Sequence, residues 1–386
     1  MITAATDRVA DWRERRQADP RHDKRTASWL GVALGVSFTV CFLTGLASHL
    51  LQHRPSWFAW PTRPVWLFRL TQGLHVFTGI VSVPLLLAKL WSVAHQLLDP
   101  PKVRPISGLV ARVSLIPLVA GSLFLLVTGV LNIDYWYPFR FFFPPAHYAV
   151  AWLTVGALVV HIGANATTVR RELGPGRGGA SSRAPADVRA RRRFLGFVAA
   201  SSATLLITTV GETAGPLKRL ALLAPRRPDV GPQGFPVNRS FAESRISPRR
   251  VDPATWRLRV HGRVAQPVEL TLSQLEALPQ RSAALPIACV EGWSAERTWT
   301  GVAVHDVLAL AGVTGRPSAV VRSLERGSTY ASSDLTADQV GDSLTLLALR
   351  VDGEVLHPDH GYPLRLIAPA RPGVLQTKWL SEIEVR

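Results

Sequence analysis

Hydrophobic positions along this chain follow two different patterns. From Thr26 to His53 no Asp, Glu, Lys or Arg occurs. A helix rises about 1.5 Å per residue, so roughly 20 apolar residues cross a hydrocarbon core, and this run is long enough. Four comparable runs follow: Leu70 to Leu98, interrupted by Lys89, then Val113 to Ile133, Phe141 to Val169 and Phe194 to Val210. A single run of this kind could be a helix buried in a soluble core, but several in succession predict an α-helical transmembrane bundle. It comprises four helices plus a fifth, shorter signal-anchor helix. Beyond Gly211 the period changes. In Trp256-Arg257-Leu258-Arg259-Val260-His261 apolar and polar residues alternate, as in a half-buried strand, and Gly262 ends the run. Thr271 to Leu278 and Val304 to Ala311 read as short helices, and Asp352-Gly353 between two apolar runs predicts a hairpin. Short strands mixed with short helices predict a C-terminal α+β domain.

This patterning divides the chain into a cytoplasmic segment 1–27, a four-helix domain 28–170, a basic loop 171–193, the fifth helix 194–211, a linker 212–227 and a second domain 228–386. Charge orients them. The mean hydropathy is +0.15 and only 18% of the residues are charged, yet the net charge is +17. Basic residues must therefore be segregated from the apolar runs. Arg8, Arg13, Arg15, Arg16, Arg21, Lys24 and Arg25 precede the first run; Lys102, Arg104 and Arg112 follow the second. Arg170, Arg171, Arg177, Arg183, Arg189 and Arg191 to Arg193 follow the fourth, whereas the connection after the third has only Arg140. The positive-inside rule makes the first three groups cytoplasmic and puts everything after about Gly211 outside the cytoplasm of a multi-pass cell-membrane protein. Arg191-Arg192-Arg193-Phe194-Leu195 reads either as an internal twin-arginine export signal or as the flank of a stop-transfer helix, and both export the second domain. Nucleic acid is not an expected partner, because no basic stripe interleaved with aromatics occurs.

Two side-chain types inside these segments point to chemistry. Histidine within a span is costly unless coordinated or paired. His147 and His161, fourteen residues apart, lie within about 40° of one helix face and about 21 Å apart, which suits stacked ligands. His75 lies in the outer half of the second run, and His49 and His53 sit where the first run ends. His95, at the cytoplasmic end, needs only an interfacial role. His75 with His161 is the first choice of axial pair for a metal, and His49 with His147 the second. The other type is the lone thiol. Cys41 lies in an apolar run and Cys289 far away in a polar region, so a disulfide between them is not expected.

Gly73-Leu74-His75 through Lys89-Leu90-Trp91, with Asn132-Ile133-Asp134-Tyr135-Trp136-Tyr137 and His147, resembles the cytochrome-b-like domains that bacteria pair with periplasmic molybdoenzymes. The resemblance covers roughly residues 30 to 170 and implies haem b on these histidines, with the quinone pool as redox partner.

Cys289-Val290-Glu291-Gly292-Trp293-Ser294, followed by Trp299-Thr300-Gly301, resembles the metal-binding loop of the sulfite oxidase superfamily. Asp359-His360-Gly361-Tyr362-Pro363-Leu364-Arg365 and Gly373-Val374-Leu375-Gln376-Thr377-Lys378-Trp379 resemble its cofactor-binding stretch. The match spans roughly 228 to 386 and implies molybdopterin, with Cys289 as the protein ligand to molybdenum. It implies contacts to that cofactor from Asn238, Ser323, His360, Arg365, Gln376 and Lys378. Glu291-Gly292-Trp293-Ser294 departs from the arginine-rich stretch of animal sulfite oxidases and is closer to the bacterial methionine sulfoxide reductase branch, which has Asn where His360 stands. Arg297 and Arg371 either face a substrate or are solvated. The function implied is oxygen-atom transfer on a small S- or N-centred substrate. The alternative is a non-catalytic membrane electron-transfer or redox-sensing protein.

Overall fold

The computed structural model describes residues 19–97, 112–174, 185–210, 215–224, 227 and 229–386. Arg8, Arg13, Arg15, Arg16, Lys102, Arg104, Arg177 and Arg183, which carried much of the orientation argument, lie outside the described residues. Five helices among the described residues are long and apolar enough to cross a membrane. They are α1 (Lys24–Gln52), α2 (Leu67–Leu97), α3 (Leu115–Ile133), α4 (Phe143–Leu173) and α5 (Pro185–Val210). Each expected run is matched to within a few residues except the fifth. Its apolar part begins at Phe194, but the helix extends back to Pro185, with Arg191 ion-paired to Asp23 at 3.6 Å. Proline at a first helical position is compatible with this start, since its missing N–H would have no partner there.

Contacts divide the chain into two units: residues 1–44, 74–211 and 219–225 form one, and residues 45–73, 212–218 and 226–386 the other. In the first, polar side chains within the apolar helices find partners on neighbouring helices. Ser82 Oγ donates to Ser37 Oγ at 2.9 Å, Ser37 Oγ donates to the Thr78 carbonyl at 2.9 Å, and Lys89 Nζ donates to the Ala27 carbonyl at 2.6 Å. Such satisfaction is what an apolar surrounding demands of buried polar groups. Helices α3 and α4 approach closely because position 121 is glycine; a Cβ there would collide with Thr154 Oγ1.

The second unit contains two five-stranded sheets. The first sheet runs β2 (Val268–Leu270), β1 (Leu258–Gly262), β10 (Leu380–Val385), β5 (Ala319–Ser323) and β6 (Ser332–Leu335). Its β1–β10 pair is parallel, with Val260 opposite Ile383. The second sheet runs β3 (Arg281–Ala288), β4 (Ser294–Ala303), β7 (Leu346–Val351) and β8 (Glu354–Val355), with β9 (Arg365–Ile367) also on β7. Gly301 sits at a register shift between β4 and β7, where a Cβ would run into the Leu347 carbonyl. The short helices α6 (Phe241–Ser244), α7 (Leu272–Ala277), α8 (Val304–Leu310) and α9 (Ala337–Gly341) connect the strands. Three of them start with capping boxes: Ser240 with Glu243, Thr271 with Gln274 and Thr336 with Gln339. One core collects Trp256, Val260, Val307, Leu347 and Ile383; a second collects Phe235, Leu285, Cys289, Trp299 and Ile367.

Candidate cofactor site around Cys289

Cys289 follows directly on β3 and is 2% exposed. The reversal into β4 is closed by two backbone bonds, Gly292 N to the Cys289 carbonyl at 3.1 Å and Cys289 N to the Trp293 carbonyl at 2.9 Å. Gly292 has φ +98, which glycine adopts without steric cost, so the loop can turn this tightly. The sulfur is met from another segment: Asn238 Nδ2 donates to Cys289 Sγ at 2.8 Å.

The chain around Asn238 connects most of the remaining expected residues. Its neighbour Arg239 donates to Glu325 Oε1 at 2.5 Å, and Glu325 N donates to Ser323 Oγ at 3.0 Å at the end of β5. Lys378 Nζ donates to the Arg239 carbonyl at 2.8 Å and to the Asp359 carbonyl at 2.7 Å. Arg365 Nη1 donates to the His360 carbonyl at 3.1 Å. The structure therefore brings Asn238, Cys289, Ser323, His360, Arg365 and Lys378 into one region through contacts no more than one residue removed from each. Close packing makes a glycine necessary here. Gly361 has φ +110, and a Cβ on it would lie 3.1 Å from Lys378 Cα and 3.3 Å from Arg365 Cβ.

The region brings together the buried Arg365 and the half-buried Lys378, with the carboxylates of Asp359, Glu325 and Glu243 acting on the lysine. Arg365 is 4% exposed, lies 5.5 Å over the Trp299 ring, and leaves its Nε without a hydrogen-bond partner among the described residues. Burial pulls its pKa down to about 9. Burial, with Arg365 nearby, pulls Lys378 down to about 7. Two cations held close in low dielectric, one with an unused donor, fit an anionic ligand. His360 is held neutral, its pKa lowered to about 3 by burial and by Arg365. Its ring stacks on Phe235 at 3.6 Å and Nε2 donates to the Pro232 carbonyl at 2.7 Å. The indole N–H of Trp293, in the loop, and the hydroxyl of Ser294, at the start of β4, are also buried without hydrogen-bond partners among the described residues. A thiol, donors without partners among the described residues, and two cations in one place fit a sulfur-ligated metal carried on an anionic organic group.

Some expectations land differently. Gln376 is in the region, but both ends of its amide are held by Ala368, Oε1 accepting from its N–H and Nε2 donating to its carbonyl, each at 2.8 Å. Arg371 is not solvated, while Arg297 keeps 24% of its side chain exposed and ion-pairs with Asp352 at 3.5 Å. Arg297 donates to the Gly234 carbonyl and packs over Phe235, while Arg371 is buried and donates to the Leu375 carbonyl and to Gln339 Oε1. Sequence reasoning missed Tyr330, whose hydroxyl lies within electrostatic reach of Cys289, and Phe235, the stacking partner of His360. Neither belongs to a recognisable motif.

In the first unit, the His75 ring faces His147, with 6.4 Å between ring centroids. The expectation had paired His75 with His161, whose Nδ1 has no hydrogen-bond partner among the described residues. Helical-wheel angles along α4 fix the face but not its height against α2. His147 lies in the first two turns of α4, level with Thr128 near the end of α3, and its Nδ1 is 2.9 Å from Thr128 Oγ1. The Thr128 hydroxyl proton is used on the Phe124 carbonyl, so Thr128 accepts from His147 Nδ1–H. His75 Nδ1 likewise donates to the Cys41 carbonyl at 2.8 Å. With Nδ1 as the donor, the neutral form of each imidazole carries its lone pair on Nε2. His49 faces His53, with 4.6 Å between ring centroids.

Comparison with known proteins agrees with the reading of the second unit. The family profile "Oxidoreductase molybdopterin binding domain" matches residues 245–386. The chain is 34% identical over 134 residues to "Uncharacterized oxidoreductase YuiH" of Bacillus subtilis (strain 168), covering 34% of this chain and 66% of that protein. It is 32% identical over 154 residues to YedZ1 of Azospira oryzae, a subunit named for protein-methionine-sulfoxide reductase, covering 39% and 56%. It is 27% identical over 201 residues to "Nitrate reductase [NADH]" of Ulva prolifera, covering 42% and 22%. The chain therefore spans 66% or less of the length of each of these relatives.

Proposed function

We propose that this chain, which carries a molybdopterin-binding oxidoreductase domain over residues 245–386, is a membrane-anchored enzyme that transfers an oxygen atom to or from a small S- or N-centred substrate outside the cytoplasm. The observation that carries the reading is the buried Cys289 sulfur, met by Asn238 at 2.8 Å within a cationic region. Cys289 would ligate molybdenum, Arg365 and Lys378 would bind the anionic part of molybdopterin, and Asn238, Ser323 and His360 would fix its orientation. Bound there, the cofactor supplies a two-electron redox change coupled to oxygen-atom transfer. The protein would hold the thiolate in place with the Asn238 amide among its donors, keep His360 neutral as a hydrogen-bonding group, and exclude water through Phe235, Trp293 and Trp299. The similarity to a subunit named for protein-methionine-sulfoxide reductase supports a sulfur-centred substrate. Residues 194–211 would anchor and export this domain, which we place at 228–386 after the linker 212–227.

In the helical domain, 28–170, we propose a b-type haem between His75 and His147, exchanging electrons with the quinone pool. The centroid separation of 6.4 Å supports this, because a metal about 2 Å from each of two facing ring nitrogens sets imidazole centroids roughly 6 Å apart. The test is elemental and spectroscopic analysis of the purified full-length protein. About one molybdenum per chain is expected, lost in Cys289→Ala; protein from molybdenum-replete cells that holds none would end the proposal.

A further inference from the structure

Residues 45–73, the adjoining ends of α1 and α2 with their connection, belong to the same compact unit as the cofactor domain. Trp60 Nε1 donates to the Ala370 carbonyl at 3.0 Å, Ala370 N donates to the Val65 carbonyl at 3.1 Å, and Arg63 pairs with Asp342 at 2.8 Å. Leu51 and Phe68 pack with Ala288, the residue before Cys289, and with Val290, the residue after it. These contacts dock the segment. A second set of contacts runs through its polar residues, and each of these bonds has a defined direction.

Tyr330 donates from its hydroxyl to Gln52 Oε1 at 3.3 Å. Gln52 Nε2 donates to Ser48 Oγ at 3.3 Å, and Ser48 Oγ donates to Gln72 Oε1 at 3.1 Å. Gln72 Nε2 then donates to the Val290 carbonyl at 3.0 Å. One end of this chain is the Val290 carbonyl, next to Cys289 in the sequence. The other is Tyr330, whose neighbour Ala331 accepts from Ser323 N at 2.7 Å. Ser48 and Gln72 are 7% and 4% exposed, so water is a poor substitute for any lost partner. Because Gln72 accepts from Ser48 at one end of its amide, its NH2 is turned toward Val290. The direction of each bond thus fixes that of the next, and consecutive bonds of one sense strengthen each other.

We propose that Gln72, Ser48 and Gln52 are positioning residues of the molybdenum site: the helix ends hold the Cys289 loop and the Tyr330 hydroxyl in register with each other. The inference rests on the reading of Cys289 as the metal ligand given above. A loop that presents a metal ligand needs support from surrounding bonds to fix its geometry, and here that support comes from outside the matched domain.

The test uses full-length holoprotein carrying Gln72→Leu, nearly the same size without the two bonds, and separately Tyr330→Phe, which removes only the first donor. Arg63→Ala, which breaks a docking contact outside the chain of bonds, is the control. Two quantities are read: the paramagnetic resonance spectrum of the one-electron-reduced metal, and amide hydrogen exchange across residues 289–293. Gln72→Leu and Tyr330→Phe are expected to retain molybdenum, shift the resonance, and in Gln72→Leu to speed loop exchange about tenfold, the loss of roughly one hydrogen bond. Arg63→Ala leaves both readouts in place. An unshifted resonance with unchanged exchange in Gln72→Leu overturns the proposal. If Gln72→Leu does not accumulate, an unshifted resonance in Tyr330→Phe overturns it. Retention of molybdenum in Cys289→Ala would instead remove the underlying assignment, and the exchange measurement would still decide the role of the bonds.

Discussion

Asn238 Nδ2 lies 2.8 Å from Cys289 Sγ, joining residues 51 positions apart. An amide donor on a metal-bound thiolate withdraws charge from sulfur and favours the reduced metal. Asn238→Leu is therefore expected to keep its molybdenum and lower the metal's reduction potential. A hydrogen bond to a charged group contributes about 1.5–3 kcal/mol, which bounds the change. A redox titration that superimposes on wild type would show that the amide does not act on the sulfur.

Lys378 should make cofactor binding depend on pH. Its pKa is lowered to about 7, chiefly by burial, so the ammonium is present below that value and lost above it. Affinity of the cofactor-free protein for molybdopterin is expected to fall as pH rises through 7, by up to about tenfold per unit for one linked proton. Lys378→Met should flatten this dependence while Arg365, charged to about 9, remains. In the cofactor-free protein the depressed lysine also costs stability. That cost is full below about 7 and fades as pH rises toward the ordinary lysine range, which thermal unfolding against pH would detect.

Gly361→Ala should destabilise the domain by about 1–3 kcal/mol. Its φ of +110 is unfavourable for alanine, and the added methyl meets Lys378 Cα at 3.1 Å. Because the atoms displaced belong to the Lys378 backbone and to Arg365, cofactor occupancy should fall along with the unfolding midpoint. A variant as stable as wild type would mean that the backbone relaxes there.

The helical domain offers a direct comparison. With His75 and His147 as the axial pair, His75→Ala and His147→Ala should each abolish a b-type absorption spectrum in membranes, and His161→Ala should leave it in place. A spectrum lost in His161→Ala but kept in His147→Ala would return the assignment to His75 with His161, the first choice from the sequence.

Periodicity alone located the helices, because crossing length and charge exclusion act over twenty residues at a time. It also placed α7 and α8, whose first turns carry Thr271 and Asp306, and the hairpin at Asp352-Gly353. The site was legible where a motif is contiguous, as around Cys289 and from His360 to Lys378. It was not legible where a side chain arrives from afar without a pattern, as with Tyr330, Phe235 and Gln72. Gln72 did leave a signal: it is a polar amide at the start of an apolar helix, and burying one there requires a partner. The pairing of His75 with His147 needed the relative heights of two helices, which one chain's periodicity does not contain. The role of Gln376 was obscured for a related reason, since the sequence does not reveal which backbone its amide will meet.

The parallel pairing of β10 with β1, and its antiparallel pairing with β5 on the other side, has a consequence for biosynthesis. The middle strand of this sheet is the last of its five in chain order, so β1 and β5 emerge from the ribosome well before the strand that joins them. Closure of the sheet must await release of residues 380–385. Because Lys378 and Trp379 immediately precede that strand, a nascent chain has no completed cradle to receive a cofactor until residues 380–385 have emerged.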